Sequence, residues 1–503
     1  MTTSSHERMS SVDTAWLRMD SPGNSMMIVG VSTTATPIRP ADFRRMIEQR
    51  LLCFARFRYR AVADTLGASW VEDTDFDLDE HLKHVVLPGP AGKAELEALA
   101  SELASSPLDP RRPMWQFHFV ERYEGGSAWV MRVHHCYADG IAMIRVLLSM
   151  TEQDSGPAFG PRDRKPRKAT QPRAGTDVLP ILSWVDRLAQ PAGDILEHAL
   201  AEGAKLLESG VHQLFHPGRT GALATQAGGM LAEFARAATL PDDPDTPLRG
   251  ELGGHKAVAW GEPIPLHEIR TVGKTLGCTI NDVIMSTVAG ALGGYLRGQG
   301  FDTHDLRVRA SVPVNLRAAD EPLTLGNRFG LVYVDMAIGL THPLKRLYAM
   351  ADTMAALKGS LQPSTTLIVL GLMGLMPAAV QAPAIELFSR KASAVVSNVP
   401  GPQAPLYMCG QRISEMYFWV PQSGTIGIGI SVLSYAGQVY LGVISDRKLI
   451  QEPRLVVQRL GSEFENLLLA ATVGALAARE RNSKSGPKAA TGTRPRRAVR
   501  TKG

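Results

Sequence analysis

The sequence has few cysteines and no long hydrophobic run. Its four cysteines, Cys53, Cys136, Cys278 and Cys409, are far apart in 503 residues and form no C-x-x-C pair. A disulfide framework or a cysteine-bound zinc ion is therefore not expected, and a reducing compartment fits. The N-terminal stretch MTTSSHERMSSVDTAWLRMD has no apolar segment typical of a signal peptide.

No apolar stretch reaches the ~20 residues that a membrane-spanning helix needs. The segment that comes closest is LIVLGLMGLMPAAV, residues 367–380, and it contains Gly371, Gly374 and Pro377. This pattern favours a buried core helix. A surface that dips into a bilayer or a lipid droplet remains the alternative.

Several familiar active-site motifs are also missing. The sequence contains no G-x-S-x-G nucleophile elbow, no G-x-x-x-x-G-K-[ST] phosphate loop and no strand-linked G-x-G-x-x-G. It has no H-E-x-x-H motif, and no third His, Cys or carboxylate follows the histidines described below at the sequence spacing of a metal site. The sequence therefore gives no motif that would indicate a serine hydrolase, a nucleotide-binding enzyme or a dinucleotide-binding enzyme. We expect neither a metal nor a cofactor.

The net charge of +5 is concentrated at the C-terminus. Residues 481–503 contain eight Lys and Arg and no acid, so the remainder is close to neutral. This Pro- and Gly-containing tail is typical of a disordered, solvated end. A tether to an anionic membrane surface is the sharper alternative, at roughly 1 kcal/mol per basic residue. Nucleic acid is not an expected partner, because no reader motif accompanies the charge.

The pattern along the chain predicts an α/β protein with two halves. Strand-like and helix-like segments alternate over residues 1–152 and again over 255–480. Residues 153–254 lie between them and contain a Pro/Gly-rich linker at 153–177 and helical segments near 180–212 and 225–239. The tail, 481–503, completes the four regions.

The stretch MRVHHCYADG, residues 131–140, stands out for its chemistry. It ends the second strand of a predicted hairpin (114–123 and 128–135), and a helix follows over 141–150. Neighbouring side chains in a strand point to opposite faces, so only one of His134 and His135 should face a cleft. Asp139 and Gly140 occupy the corner where a helix cap belongs. A purely structural role for the two histidines is an equally strong reading of these residues alone.

HHxxxDG resembles the active-site motif of the CoA-dependent acyltransferase superfamily. Further blocks resemble the bacterial wax ester synthase/diacylglycerol acyltransferase family: MSSVDTAWL, PLDPRRPMW, NDVIM, VPVNLR, LGNRFG and SNVPGP, in this order from residue 9. Met114 replaces the family's usual Leu, and Asn315 stands where Ser is usual. The resemblance implies two chloramphenicol-acetyltransferase-like halves, with mixed sheets, packed helices and an active-site tunnel at their interface.

The resemblance also implies a reaction and a set of residues. The hydroxyl of a diacylglycerol or fatty alcohol would attack a long-chain acyl-CoA directly, with His135 as general base and acyl-CoA as a substrate rather than a cofactor. His134 would support the base, and Asp139 and Gly140 would shape the corner. Asn281 would hydrogen-bond the alcohol or the oxyanion, although a helix cap is nearly as strong a reading of this residue. Asp282 would support the helix start.

Two other features of this interpretation stay open. Arg317 would meet Asp139, contact a CoA phosphate, or lie on the surface. A sixteen-carbon acyl chain would gain a gross ~11 kcal/mol from burying about 14 methylenes at ~0.8 kcal/mol each, which favours an apolar tunnel. The expected location is the cytoplasm, peripherally at the membrane or at lipid inclusions. The alternatives are a non-catalytic lipid-droplet protein and an acyltransferase of the same fold with another acceptor.

Overall fold

A six-stranded mixed sheet forms the first half around the predicted hairpin. The hairpin turns at Glu124 and Gly125, which both have positive φ, as the twist of a two-residue hairpin requires. In spatial order the strands are β13 (Tyr407–Met408), β14 (Gln411–Trp419), β2 (Met27–Thr34), β7 (Gly126–His134), β6 (Trp115–Tyr123) and β5 (Leu82–Val85). Two strands of this sheet, β13 and β14, therefore come from the second half of the sequence.

Among the residues that the structure describes, five α-helices and a small three-stranded sheet accompany this first sheet. The strands are β1 (His6–Arg8), β4 (Gly67–Glu72) and β3 (Tyr59–Asp64). The helices are α1 (Ser11–Arg18), α2 (Pro40–Met46), α3 (Leu78–His81), α4 (Lys93–Ser105) and α5 (Gly140–Met150). A π-helical turn, Ile47–Leu51, continues α2. Ser10 caps α1 by accepting a hydrogen bond from the Asp13 amide, which is the usual role of serine at this position.

A seven-stranded mixed sheet forms the second half. The strands are, in spatial order, β11 (Phe329–Met336), β10 (Val308–Asn315), β12 (Ala394–Pro400), β15 (Ile428–Tyr435), β16 (Gln438–Asp446) and β8 (Lys256–Trp260), with β9 (Ile264–Pro265) also paired to β16. The helices of this half are α6 (Leu266–Leu276), α7 (Ile280–Gly298), α8 (Pro343–Leu357), α9 (Gln362–Leu375), α10 (Ala378–Ser389) and α11 (Pro453–Lys484). The α/β class with two halves and mixed sheets is thus confirmed.

The sheet of the second half separates two hydrophobic cores. Val332 and Val334 belong to the core beneath the helices of the second half. Phe329 and Val399 belong to the core shared with the first half. Because side chains alternate along a strand, one strand such as β11 contributes to both cores.

Helix α9 corresponds to most of the apolar segment 367–380 and is a core helix. Leu367, Leu370 and Met373 are buried, and α9 packs against α1 so closely that a Cβ on Gly374 would lie 1.7 Å from the Ser11 carbonyl oxygen. Leu372 and Leu375 remain exposed on its outer side. In the described part of the chain, no single helix is both long and apolar enough to cross a bilayer.

This computed structural model describes residues 6–484 except 22, 65–66, 154–235, 237–238, 318–323 and 376–377. The predicted linker at 153–177 and the predicted helices near 180–212 and 225–239 lie almost wholly outside the described residues and stay predictions. Helix α11 extends to Lys484, four residues into the segment predicted to be disordered, and the rest of that tail also lies outside.

Candidate active site

The two adjacent histidines lie at the end of β7 and take different directions. His134 is the last residue of the strand and pairs with Met27 of β2. Its Nδ1 accepts a hydrogen bond from the Cys136 backbone N–H at 3.2 Å, and its Nε2 lies 3.9 Å from an Asp20 carboxylate oxygen. Burial lowers the pKa of His134 to about 4, so this ring is neutral at physiological pH and its contacts are structural.

The His135 ring lines a cavity between the two halves. It stacks on Trp16 with ring centroids 4.2 Å apart and an interplanar angle of 18°, and the tilted Phe329 ring has its centroid 5.6 Å from that of His135. Burial lowers the pKa of His135 to about 4, although the charge of Asp139 opposes this shift. The imidazole is therefore neutral at physiological pH, which is the form that can accept a proton.

A buried polar contact holds the backbone of His135. The Asn327 side-chain amide donates to the His135 carbonyl oxygen at 2.7 Å and to an Asp13 carboxylate oxygen at 2.8 Å. The Asn327 backbone N–H donates to the same Asp13 oxygen at 2.9 Å. Burial raises the pKa of Asp13 to about 6, against the opposing effect of these hydrogen bonds. Helix α1 thus contacts the base directly through the Trp16 ring and supports it indirectly through Asp13, which holds Asn327.

Asp139 joins the helix that follows the histidines to the second half. One carboxylate oxygen caps α5 by accepting from the Ala142 N–H at 2.9 Å. The other accepts from the Arg317 guanidinium and from the Arg328 N–H at 2.9 Å. Arg317 also donates to the Gly326 carbonyl oxygen at 2.7 Å. Among the three alternatives for Arg317, the structure therefore places it on Asp139.

Gly140 is the first residue of α5, where the helix approaches β12. A Cβ at this position would lie 3.2 Å from Cγ2 of Val399, which is tighter than an ordinary contact. Glycine thus permits a close approach of α5 to the strand that carries part of the cavity wall.

Asn281 lies in the first turn of α7 and also lines the cavity. It does not cap the helix. Thr279 is the N-cap: its hydroxyl accepts from the Asp282 N–H, and the Asp282 carboxylate accepts from the Thr279 N–H at 2.7 Å. Asp282 therefore supports the helix start as expected. The Asn281 side-chain oxygen accepts from the Asn398 amide at 3.1 Å, which leaves its nitrogen to donate elsewhere.

The cavity that these residues share has a volume of about 400 Å³. This lies within the ~300–1,000 Å³ range of ordinary small-molecule sites. His135, Asn281 and Asn398 contribute polar groups, while most of the wall is aliphatic, and Lys358 lies at its exposed outer part. Among the described residues, no cluster of three or more His, Cys, Asp or Glu is arranged to hold a metal ion.

Sequence reasoning assigned no role to three residues that position the base, two by direct contact and Asp13 through Asn327. Trp16 and Asp13 lie in the MSSVDTAWL block and Asn327 in the LGNRFG block, and both blocks were used only to recognise a resemblance. The blocks are distant in sequence, so only the folded chain shows that they meet under His135. The signal that was present was an acidic residue, Asp13, between the apolar residues Val12 and Ala15.

Comparison with protein families gives two matches that cover most of the chain. Residues 9–284 match the wax ester synthase/diacylglycerol acyltransferase catalytic domain, and residues 325–468 match the WS/DGAT C-terminal domain. A Mycobacterium tuberculosis protein (strain CDC 1551 / Oshkosh), provisionally named a diacylglycerol O-acyltransferase, is 30% identical over 442 residues, which are 85% of this chain and 89% of that protein. A Mycobacterium bovis protein with the same provisional name is 28% identical and covers 92% of this chain and 90% of its own length.

Comparison with solved structures shows the same fold. The wax ester synthase/diacylglycerol acyltransferase of Marinobacter aquaeolei VT8 superposes with a TM-score of 0.62 and 22% identity, over 92% of this chain and all of that one. The starter condensation domain of rhizomide synthetase gives a TM-score of 0.53 at 13% identity, over 93% of this chain and 94% of that one. Condensation domains and this chain therefore share an architecture of two halves.

Proposed function

The chain belongs to the wax ester synthase/diacylglycerol acyltransferase family of O-acyltransferases, and from this premise we propose that it transfers a long-chain acyl group from coenzyme A to a hydroxyl group. The acceptor is a diacylglycerol, a long-chain alcohol or both, giving triacylglycerol or wax ester. The observation that carries this proposal is the neutral His135 imidazole in an apolar cavity, with the Asn281 amide on the wall of the same cavity.

His135 acts as the general base in this proposal. Its Nδ1 is buried and has no hydrogen-bond partner among the described residues, so we assign Nε2 as the nitrogen that meets the substrate. Nε2 takes the proton of the acceptor hydroxyl while the hydroxyl oxygen attacks the thioester carbon. The carbon–sulfur bond then breaks, and the imidazolium returns the proton to the coenzyme A thiolate. General acid–base catalysis of this kind contributes roughly 10²–10⁴-fold to the rate.

Asn281 stabilises the tetrahedral intermediate in this proposal. Because Asn398 occupies the side-chain oxygen of Asn281, the amide nitrogen is the end that is turned to substrate. It can donate to the developing oxyanion but cannot accept the proton of an alcohol. An amide N–H also donates to an alcohol oxygen, so the hydrogen bond to Asn398 does not choose between the two roles; we assign the oxyanion role because negative charge develops there in the transition state.

The supporting residues fix the base, and we assign none of them a step in the reaction. A stacked Trp16 ring and the hydrogen bond from Asn327 restrain the ring plane and the backbone of His135. The Asp139 carboxylate accepts hydrogen bonds from Arg317, from the Arg328 N–H and from the first turn of α5. We therefore assign it the role of shaping the corner. His134 supports the turn through the Cys136 N–H.

A peripheral location at a membrane or lipid inclusion fits the outer surface of the second half. Leu361, Leu372, Leu375 and Leu387 lie exposed on or next to α9 and α10. These two helices precede β12, the strand that carries Asn398. A lipid surface bound to them would therefore supply hydrophobic substrates close to the cavity.

The direct test is coenzyme A release by the purified protein. We expect hexadecanoyl-CoA with dioleoylglycerol, or with hexadecanol, to release thiol and to form a neutral ester detected by mass spectrometry. His135→Ala should lower both signals by about 10²–10⁴-fold while circular dichroism and the thermal midpoint stay near those of the unchanged protein. Release with amine or polyketide acceptors alone would reassign the acceptor, and lipid-droplet binding without release would favour a non-catalytic protein.

A further inference from the structure

The active-site cavity crosses the seven-stranded sheet. It is lined by Phe329 and Val399, which belong to the core shared with the first half. It is also lined by Val332 and Val334, which belong to the core on the helix-covered face. A continuous sheet would separate these two sets, so there must be an opening between strands.

The opening lies between β10 and β12. These parallel strands pair only at Ala310 with Ala394 and at Ser311 with Val395. Beyond that point β10 stays paired to β11 through Asn315, and β12 stays paired to β15 through Pro400. The two strand pairs therefore diverge, and the residues that face the gap, Val312 to Asn315 and Ser397 to Pro400, all line the cavity.

The polar groups of the site lie at this gap. Asn398 projects from β12 and holds Asn281 of α7 on the helix-covered side. His135 and Gly140 belong to the first half and line the same cavity from the opposite side of the sheet. A thioester carbon placed between His135 and Asn281 would therefore sit within the gap, with space on each face of the sheet.

The space on the helix-covered face has an aliphatic wall. We call it the helix-side arm, and its wall consists of Val312, Val314, Val332, Val334, Met354 and Leu357. It follows the β10–β11 pair from Val314, opposite Gly330, to Val334, opposite Ala310. Four residues of strand span about 13 Å at ~3.3 Å per residue. The opposite face has a mixed wall, which includes Ser311, Asn315 and Ser423.

We propose that the helix-side arm is the binding site for a straight aliphatic chain, which enters through the gap between β10 and β12, and that Met354 limits the length of that chain. This inference rests on the proposed acyl transfer. The only hydrogen-bonding atom among the six side chains of the wall is the weakly accepting sulfur of Met354. The wall therefore favours methylene groups over polar groups. The chain belongs either to the acyl donor or to the alcohol acceptor.

Met354→Ala and Val334→Leu test the two directions of this inference. Removing the thioether enlarges the arm, and adding one methylene at Val334 shortens it. One methylene in such a pocket changes discrimination by about 10-fold or more. We expect the kcat/KM ratio for hexadecanoyl over dodecanoyl chains to rise about 10-fold in Met354→Ala and to fall about 10-fold in Val334→Leu. Met46→Ala, a buried methionine of the first half outside the cavity, should leave the ratio unchanged.

Two series of assays identify the source of the chain. The first varies the acyl-CoA from decanoyl to octadecanoyl with one alcohol, and the second varies the alcohol with one acyl-CoA. A shift confined to the first series places the donor in the arm, and a shift confined to the second places the acceptor there. Unchanged profiles in both series, or an equal shift in Met46→Ala, would overturn the inference.

A binding measurement separates this inference from the proposed reaction. Calorimetric titration of the unchanged protein and of Met354→Ala with acyl-CoAs and with long-chain alcohols needs no turnover. If the unchanged protein shows no coenzyme A release with any acceptor, the proposed function fails. A change in chain-length dependence of binding for Met354→Ala would still support the aliphatic site, and an unchanged dependence would refute it.

Discussion

The two walls of the cavity differ in kind. The wall from the first half is polar and fixed: His135 stacks on Trp16, and its backbone is bonded through Asn327 to Asp13. The wall of the helix-side arm is aliphatic and makes few directional contacts. This difference suggests that the chemistry of the site and its selection of substrate are separable, because hydrogen bonds fix atoms in position whereas aliphatic packing sets only volume.

The largest expected effect is a loss of kcat on mutation of the base, which a mutation in the helix-side arm should not reproduce. His135→Ala should lower kcat by about 10²–10⁴-fold, because the general base is lost. Leu357→Ala in the helix-side arm should keep kcat within a few-fold and change mainly KM, since it removes contacts that the ground state and the transition state share. Steady-state coenzyme A release measures both. An equal loss of kcat in the two variants would contradict the separation.

A second prediction concerns the contact that joins the halves. Arg317→Met leaves the Asp139 carboxylate buried without its guanidinium, and we expect the free energy of unfolding to fall by about 3–5 kcal/mol. Arg307→Met is the matched control, because its pair with Asp335 is half-exposed and such pairs contribute about 0–1 kcal/mol. Urea denaturation compares the two. A loss below 1 kcal/mol for Arg317→Met would show that Asp139 finds another partner.

Asn281 sharpens the comparison, because it is a polar group on the second half's side of the gap. Asn281→Ala should lower kcat by about 10²–10³-fold through loss of an oxyanion donor. Asn398→Ala should lower it less, since Asn398 only orients the Asn281 amide. Both variants should keep the chain-length preference of the unchanged protein. The reverse order of the two effects would assign the donor to Asn398.

The smallest expected effect is in the pH dependence of stability. His134 and His135 have pKa values lowered to about 4 from 6.5, so the unfolded chain takes up more protons between these values and stability falls as pH falls. Asp13 opposes this, because its pKa is raised to about 6 from 3.8 and the folded chain holds the extra proton in that window. Each proton is worth about 1.4 kcal/mol per pH unit.

Asp13→Asn removes the opposing contribution and should steepen the loss of stability between pH 6 and pH 4 by about one proton. Urea denaturation at pH 4.5, 5.5 and 7 measures the slope. Activity of the unchanged protein should meanwhile stay level from pH 8 to about pH 5, because His135 is already neutral there. Parallel slopes for Asp13→Asn and the unchanged protein would contradict a protonated Asp13.

Local patterns in the sequence predicted much of the fold. The hairpin of β6 and β7 and the helix after Gly140 were predicted within a few residues of their bounds. In the second half, the core helix expected at 367–380 overlaps α9, whereas α10 and the two-residue strands β9 and β13 were not predicted. The short strands β1, β3, β4 and β5 were not predicted, because segments of three to six residues contain too few alternations to be distinguished from loops. Helix α1 was not predicted as a helix, although Ser10 is a favourable N-cap residue; its segment served only to establish the family resemblance.

The sequence by itself determined the pieces whose causes lie within a few residues: strand alternation, the Thr279–Asp282 cap, the turn at Glu124–Gly125 and the motif that places a histidine at a strand end. Tertiary structure alone decided which histidine faces the cavity, that Arg317 meets Asp139 across 178 residues, and that β10 and β12 diverge to open the sheet. The physical reason is that sequence patterns act over one turn or one strand, whereas these contacts depend on how whole strands are ordered and paired.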